Sequence, residues 1–237
     1  MSLLTCVQGA ADRLGIVRPS SVIGSSDQQV RQLLGLAQQE GKELARRHPW
    51  QSITLEKTIT ATATETQTGA IPADFDRMVN GSFFNRTKNR RVEGPMNVQQ
   101  WQNYKASVTT VLFDAFRIRG NAMLLAPTPT ASDSYAYEYL SLYWCTTAAG
   151  STPTQSEWTA DDDVGILNEE LMTLGLVWRF LKAKGLDYSE PFRSYEMQVG
   201  LAMSRDGGKP LSVSFAGPSY MKEPPRPTWP QGSWDLS

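Results

Sequence analysis

Histidine and cysteine are nearly missing from this 237-residue chain, which has only His48, Cys6 and Cys145. One imidazole and two distant thiols do not make a zinc site or a disulfide framework, and they match no redox spacing. The thiols are expected to be buried and reduced. His48 sits between a helix end and Pro49, with no Ser or Cys nucleophile visibly paired to it, so it reads as a helix-terminal residue. Glycine motifs are lacking as well. Gly207-Gly208-Lys209 has neither the preceding strand nor the following Ser or Thr of a phosphate-binding loop, and no dinucleotide fingerprint occurs. No apolar run approaches the ~18 residues of a membrane span, and the start shows no secretory pattern, so neither membrane nor export is expected. The net charge of −1 gives no global attraction to nucleic acid or lipid. These absences argue for a non-enzyme with no cofactor and no bound metal.

What is present is pattern. Leu3, Leu4, Val7, Ala10, Ala11 and Leu14 share one helical face, with Ser2 as N-cap and Gly15 as stop. Ser26 or Asp27 starts a second helix to about Arg47, with the stripe Val30, Leu33, Leu34, Ala37, Gly41, Leu44. From Gln51 to Thr64 the periodicity changes to two, and β-branched residues dominate. Short strands near Asp76–Asn85 and around Arg91 come next. A small helix holds Val98, Trp101 and Tyr104. A hairpin of 110–118 and 121–126 turns at Gly120, and a strand runs from Tyr135 to Cys145.

Residues 161–184 place Val164, Leu167, Leu171, Leu174, Trp178 and Leu181 at steps of three and four, which predicts one helix about 36 Å long. Asp161, Asp162 and Asp163 open it, and Lys182 and Lys184 close it, opposing the helix dipole at both ends. A fourth helix is capped at Ser189 and carries Phe192, Tyr195, Val199 and Ala202. The expected class is α+β: a four-helix bundle from the N-terminal (1–49) and C-terminal (159–206) helix pairs, with an inserted antiparallel β domain at 50–158. An extended arm at 207–237 carries six prolines together with Phe215, Tyr220, Trp229 and Trp234. The aromatics suit either an arm that binds another surface or a tail packed on its own domain.

Charge is uneven. Residues 77–105 hold Arg77, Arg86, Lys88, Arg90, Arg91 and Lys105 against Glu93 alone, while 157–170 hold six acidic residues and no basic one. Arg86, Lys88, Arg90 and Arg91, near Phe83, Phe84 and Trp101, suit a subunit contact or single-stranded nucleic acid. The acidic counterpart would be Asp161, Asp162 and Asp163, whose cation-binding reading is weaker than their helix-dipole role. Asp74 and Asp76 form no evident catalytic pair. The alternative function is a nucleic-acid-binding phage or bacterial factor that uses the basic 86–91 segment.

The opening MSLLTCVQGAADRLGI, the run SSVIGSSDQQVRQLLGLAQQEGKELARRHPW, and the segments IPADFDRMVNGSFFNRT, GPMNVQQW and FRIRGNAMLLAPTP resemble tailed-phage head-to-tail adaptor (neck) proteins. The resemblance is to the tail tubular protein A and adaptor group of short-tailed phages. It covers roughly residues 1–145 and is compatible with the helical pair up to about 205. It implies a structural role in the virion neck, with assembly from the host cytoplasm. The implied partners are the portal protein, other copies in a ring of typically twelve, and a downstream tail tube or nozzle. DNA would pass through the lumen without sequence recognition. The family brings no catalytic motif. A ring needs two complementary faces per subunit, which the opposed charge patches and the aromatic arm would supply.

Overall fold

A computed structural model describes residues 2–106, 113–148 and 150–207. In chain order the elements are helices α1 (Leu3–Leu14) and α2 (Gln28–Arg47), then strands β1 (Thr54–Thr60), β2 (Thr66–Gln67), β3 (Phe75–Met78), β4 (Phe84–Asn85) and β5 (Arg90–Glu93). Helix α3 (Val98–Ala106) precedes β6 (Asp114–Arg119), β7 (Ala122–Ala126), β8 (Ser134–Ser141), β9 (Cys145–Thr146) and β10 (Val164–Gly165). Helices α4 (Glu169–Ala183) and α5 (Ser189–Asp206) complete it. The mixed α+β class matches the expectation.

The first two helices follow their sequence signals. Ser2 and Thr5 form a reciprocal capping box on α1, and Gly15 ends it in the left-handed region at φ 67°. Asp27 caps α2 by accepting from the amides of Gln29 and Val30. Leu3, Val7, Ala10, Leu33, Ala37 and Leu44 are buried as the stripes require.

The long helix differs from the prediction. α4 begins at Glu169, capped by Asn168, and not at the aspartate triplet. The triplet does a different job. The Asp161 carboxylate accepts from the backbone amides of Val22 (3.0 Å) and Ile23 (2.7 Å). The Asp163 carboxylate accepts from the amides of Thr159 (2.6 Å) and Ala160 (2.8 Å). Their carbonyls accept from Leu4 and Leu3, two of the amides that the first turn of α1 leaves unpaired. Val164–Gly165 then pairs with Cys145–Thr146. The heptad-like spacing of Val164 and Leu167 continues the helical stripe by coincidence, because these residues reach the same core from an extended segment.

Within α4 there is no single seam. Leu171, Met172, Gly175, Leu176, Trp178, Arg179 and Phe180 are all buried, because α4 packs against α1, α2 and α5, while α1 and α2 barely touch each other. The four helices thus form a star about α4. Two helical glycines permit close approaches. A Cβ on Gly175 would lie 2.2 Å from the carboxyl carbon of Glu40, and one on Gly41 would lie 2.3 Å from the Trp144 ring. Into the space at Gly175 goes an ionic cluster centred on the fully buried Glu40. Arg179 donates from Nε to Glu40 (2.6 Å) and from Nη2 to Glu43 (2.6 Å), and the Tyr195 hydroxyl donates to Glu40 (2.7 Å). Burial pushes the Glu40 carboxyl up, against the hydrogen bonds from Tyr195 and Arg179. The helical core also takes in Trp50, Ile53, Leu140, Trp144, Cys145 and Trp158 from the middle of the chain.

The β part is a curled sheet ordered β1-β8-β4-β5-β6-β7-β2, with β3 also on β8. The expected hairpin is present: Arg119 pairs with Ala122 across Gly120 and Asn121, both at positive φ, as a two-residue type I′ connection requires. The expected strand from Tyr135 is β8, whose Tyr135, Tyr137 and Tyr139 alternate into a core with Phe83 and Phe116. The wholly antiparallel expectation is corrected at one place: β5 and β6 run parallel, Val92 opposite Asp114. A parallel pair needs a crossover, and the connection containing α3 provides it, with Trp101 buried on Ala115 and Leu124.

Two outcomes test this core. Glu40→Ala leaves Arg179 and Tyr195 buried without their shared acceptor and is expected to cost about 3–5 kcal/mol; Gly175→Ala is expected to cost about 1–3 kcal/mol by overpacking. Gly200→Ala, mid-helix in α5 with open space around it, is expected to stabilise by up to ~1 kcal/mol. Urea titrations of the three variants check the order. The second outcome concerns alkaline pH. Burial pushes Cys6 and Cys145 from 9.0, and Tyr135 and Tyr139 from 10.0, up to about 12. Each group folds neutral and ionises more readily once unfolded. The stability it carries is whole below its unfolded pKa and is lost as pH rises toward 12. Thermal melts are expected to be level up to pH 8 and to fall steeply from about pH 9. A melting temperature unchanged at pH 11 would contradict the burial of these groups.

Candidate functional site

The basic segment turns at the end of the β4–β5 hairpin, where Asn85 is fully buried and Asn89 takes φ 51°. Asn85 accepts from the Lys88 amide (2.9 Å) and donates to Asp114 (3.2 Å). Each predicted basic residue has a carboxylate of its own: Arg86 with Glu56 (2.7 Å), Lys88 with Asp133 (2.8 Å), Arg90 with Asp114 (3.0 Å) and Arg91 with Glu93 (3.8 Å). Three of these partners lie far away in sequence and are brought in by the sheet. Of the neighbouring aromatics, Phe83 and Trp101 are buried, and only Phe84 is exposed, at 46%. Phe84 lies in an open depression of 640 Å³ with Arg86 but also with Glu56 and Glu138. A single-strand binding groove needs successive stacking faces and free cations along it, and this surface presents one face between two carboxylates.

The acidic triplet is divided. Asp161 and Asp163 are spent on the backbone amides described above, Asp163 is buried, and Asp162 has no such bond to the backbone of another segment among the described residues. The triplet and the basic segment form no ion pair with each other within the subunit; each finds nearer partners.

The residues with chemical potential are likewise held in structural roles. His48 caps α2 with its Nε2 3.4 Å from Asp206, whose carboxylate also accepts from the Gln51 amide (2.9 Å). The end of α5 is thereby tied to the passage from α2 into the sheet. Both thiols are buried and raised, and a thiol so raised is a poor nucleophile. Asp74 accepts from Tyr139 (3.2 Å) and Ser141 (2.6 Å), while Asp76 lies 4.0 Å from Arg77, so the two carboxylates are not joined. Among the described residues no cluster of three or more His, Cys, Asp or Glu is placed to hold a metal ion. Phe215, Tyr220, Trp229 and Trp234 lie outside the described residues.

No sequence pattern announced the cleft of 390 Å³ that opens where the C-terminal end of α2, the start of α4 and the last turns of α5 meet. Leu44, Trp50, Leu167, Leu171, Leu201 and Ala202 make its apolar lining, with Gln198 and Arg205 among its polar residues. The helical stripe of α5 pointed to Tyr195 and Val199, which are indeed buried, and to Phe192, which is 37% exposed. The surface signal lay off that stripe: Leu201 (45% exposed) lines the cleft, and Met197 (60%), four residues before it, is exposed on the same helix.

Among the described residues no helix is long and apolar enough to cross a membrane. No curated protein matches the chain. The SU10 adaptor protein family does match it, over residues 1–205, from the capping box of α1 to the last turn of α5. By that match the chain belongs to the SU10 adaptor protein family, a family of phage adaptors.

Proposed function

We propose that this protein is the head-to-tail adaptor of a tailed bacteriophage, a structural subunit that assembles into a ring, of twelve copies in the tail tubular protein A manner, between the portal and the tail tube or nozzle. DNA passes through the ring without sequence recognition. The observation that carries the reading is the family match across the whole described fold. The geometry supports it in two ways. Most of the ionisable side chains that sequence inspection singles out are engaged in holding the fold, and part of the exposed apolar surface lies on α5 and the turn before it, at Leu186, Phe192, Met197 and Leu201. In this reading the helices around α4 are the rigid part of the subunit, and residues 50–158 form an inserted unit. The segment 207–237, with Phe215, Tyr220, Trp229 and Trp234, is the arm that reaches the portal or a neighbouring copy.

The alternative, a nucleic-acid-binding factor, is disfavoured by the pairing of Arg86, Lys88, Arg90 and Arg91 within the subunit. A gel shift with single-stranded DNA at low salt is expected to show no retained complex; retention that falls steeply with salt would favour that alternative. For the adaptor reading, removal of residues 209–237 is expected to leave the thermal melt unchanged and to lower co-sedimentation with portal-bearing heads by about tenfold or more, the loss of ~1.4 kcal/mol or more of contact. Undiminished binding by the shortened chain would remove the arm from the interface. Electron microscopy of the native particle then tests the ring itself.

A further inference from the structure

We infer that copies of this chain join head to tail, the turn between α4 and α5 of one copy seating Leu186 in the cleft at the other end of that helix pair on the next copy. The inference rests on the adaptor reading for the ring that such contacts would close, and it names the two faces that meet.

The turn is a rigid apolar knob. α4 ends in a Schellman motif: Gly185 takes φ 71°, the Leu186 amide donates to the Leu181 carbonyl (3.0 Å), and the Gly185 amide donates to the Lys182 carbonyl (3.1 Å). The motif holds Leu186 at the tip, 55% exposed, beside the exposed rings of Tyr188 and Phe192. Both rings lie against the buried Trp178, Phe192 edge-on at 5.0 Å and Tyr188 tilted at 6.3 Å between ring centres. A knob fixed in advance loses little freedom when it docks. The hole is the cleft of 390 Å³, with Leu44, Trp50, Leu167, Leu171, Leu201 and Ala202 as its apolar lining. It admits a few side chains but not a helix, which measures about 10–12 Å across with its side chains.

Knob and hole sit at opposite ends of one helix pair, and their charges are opposed. The cleft end has Glu169 and Glu170 in the first turn of α4 and Arg205 in the last turn of α5. The knob end has Lys182 in the last turn of α4, Lys184 just past it, Asp187 before α5 and Glu190 in the first turn of α5. Each charge suits the dipole of its own helix end. A collinear repeat therefore brings the cations of α4 to the next copy's α4 acids, and the acids before α5 to the next copy's Arg205. Glu170, Glu190 and Asp206 already pair with Arg13, Arg193 and His48. That leaves Glu169, Lys184, Asp187 and Arg205 without an ion-pair partner among the described residues. One copy does not fill its own cleft, because the 18 residues of α5 put about 27 Å between the two ends. A two-fold contact also fails: cleft on cleft leaves both holes empty, and turn on turn leaves both knobs outside. Shape thus selects a heterologous contact, the kind whose repetition closes into a ring.

The test mixes two batches of the full chain at high concentration, Ser189→Cys beside the knob and a tagged Gln198→Cys in the cleft lining. A short bismaleimide then traps even a transient contact, while Cys6 and Cys145 are buried and stay silent. A mixed dimer is expected at about tenfold or more the yield of either batch alone, and of the control pair Glu138→Cys with Gln198→Cys. Adding Leu186→Asp to the Ser189→Cys chain is expected to lower that yield severalfold. A mixed dimer no more abundant than the control overturns the proposal. Dimers of the Gln198→Cys batch alone also overturn it, because they put cleft against cleft, and a yield indifferent to Leu186→Asp removes the knob. Electron microscopy of the native particle separates the two readings: a ring there without the mixed dimer keeps the adaptor and removes this contact, and the mixed dimer without a ring does the reverse.

Discussion

A carboxylate taken wholly out of water is the constraint on which the helical half depends. Glu40 is 0% exposed, and burying such a charge costs several kcal/mol unless partners replace its hydration. Its partners come from two other helices, Arg179 on α4 and Tyr195 on α5, and it fits only because Gly175 has no side chain. If α4 slid by one residue against α2, Leu174 or Leu176 would stand where the carboxylate now lies. The cluster therefore fixes register among α2, α4 and α5 in a way that leucines alone, which tolerate repacking, do not. Its burial, which raises the Glu40 carboxyl, is the cost of that definition.

The same half cannot form from neighbouring sequence alone. α1 and α2 are separated from α4 and α5 by more than a hundred residues, and the return passage is sewn onto α1 by main-chain bonds. The first amides of α1 are satisfied by the carbonyls of Asp161 and Asp163, and Val22 and Ile23 by the Asp161 carboxylate. The helix that opens the chain thus completes its N-terminal hydrogen bonding only after a segment about 160 residues later has arrived. Contacts of such separation slow folding and bind the halves of a structure to one another. Trp144 against Gly41, with Trp158 edge-on to it at 5.0 Å between ring centres, fills the junction they create.

Much of this was legible before the structure. Local signals carried through where a residue acts on its immediate neighbours: Ser2, Gly15 and Asp27 at helix ends, Gly120 in the hairpin, the tyrosine alternation of β8. Misreadings arose where long-range pairing decides. Asp161 and Asp163 carry the composition of a helix start, yet their acceptors were needed by amides of α1 and of the loop at Val22, so Asn168 took the cap. The parallel β5–β6 pair depends on α3 crossing over, which no local periodicity announces. Arg86, Lys88 and Arg90 looked unopposed because Glu56, Asp133 and Asp114 are distant in sequence. The cleft was hidden because its lining comes from α2, α4 and α5 together, and because Leu201 falls off the stripe that periodicity selects.

The surface that remains is instructive about how a subunit of this kind recognises its neighbours. Ion pairs exposed to solvent contribute about 0–1 kcal/mol each and weaken with salt. The paired basic segment is therefore poorly suited to be the main source of affinity in a particle that must stay joined. Apolar contact gains roughly 25 cal/mol per Å² buried and does not fade with ionic strength. Of the exposed apolar residues, Met197, Leu201, Leu186 and Phe192 belong to α5 and the turn before it, while Val17, Phe84 and Val98 lie elsewhere, and the proline-aromatic segment follows that helix in sequence. In the proposed adaptor, apolar attachment draws on this helix, while the four cations of the basic segment, each matched within the subunit, add little.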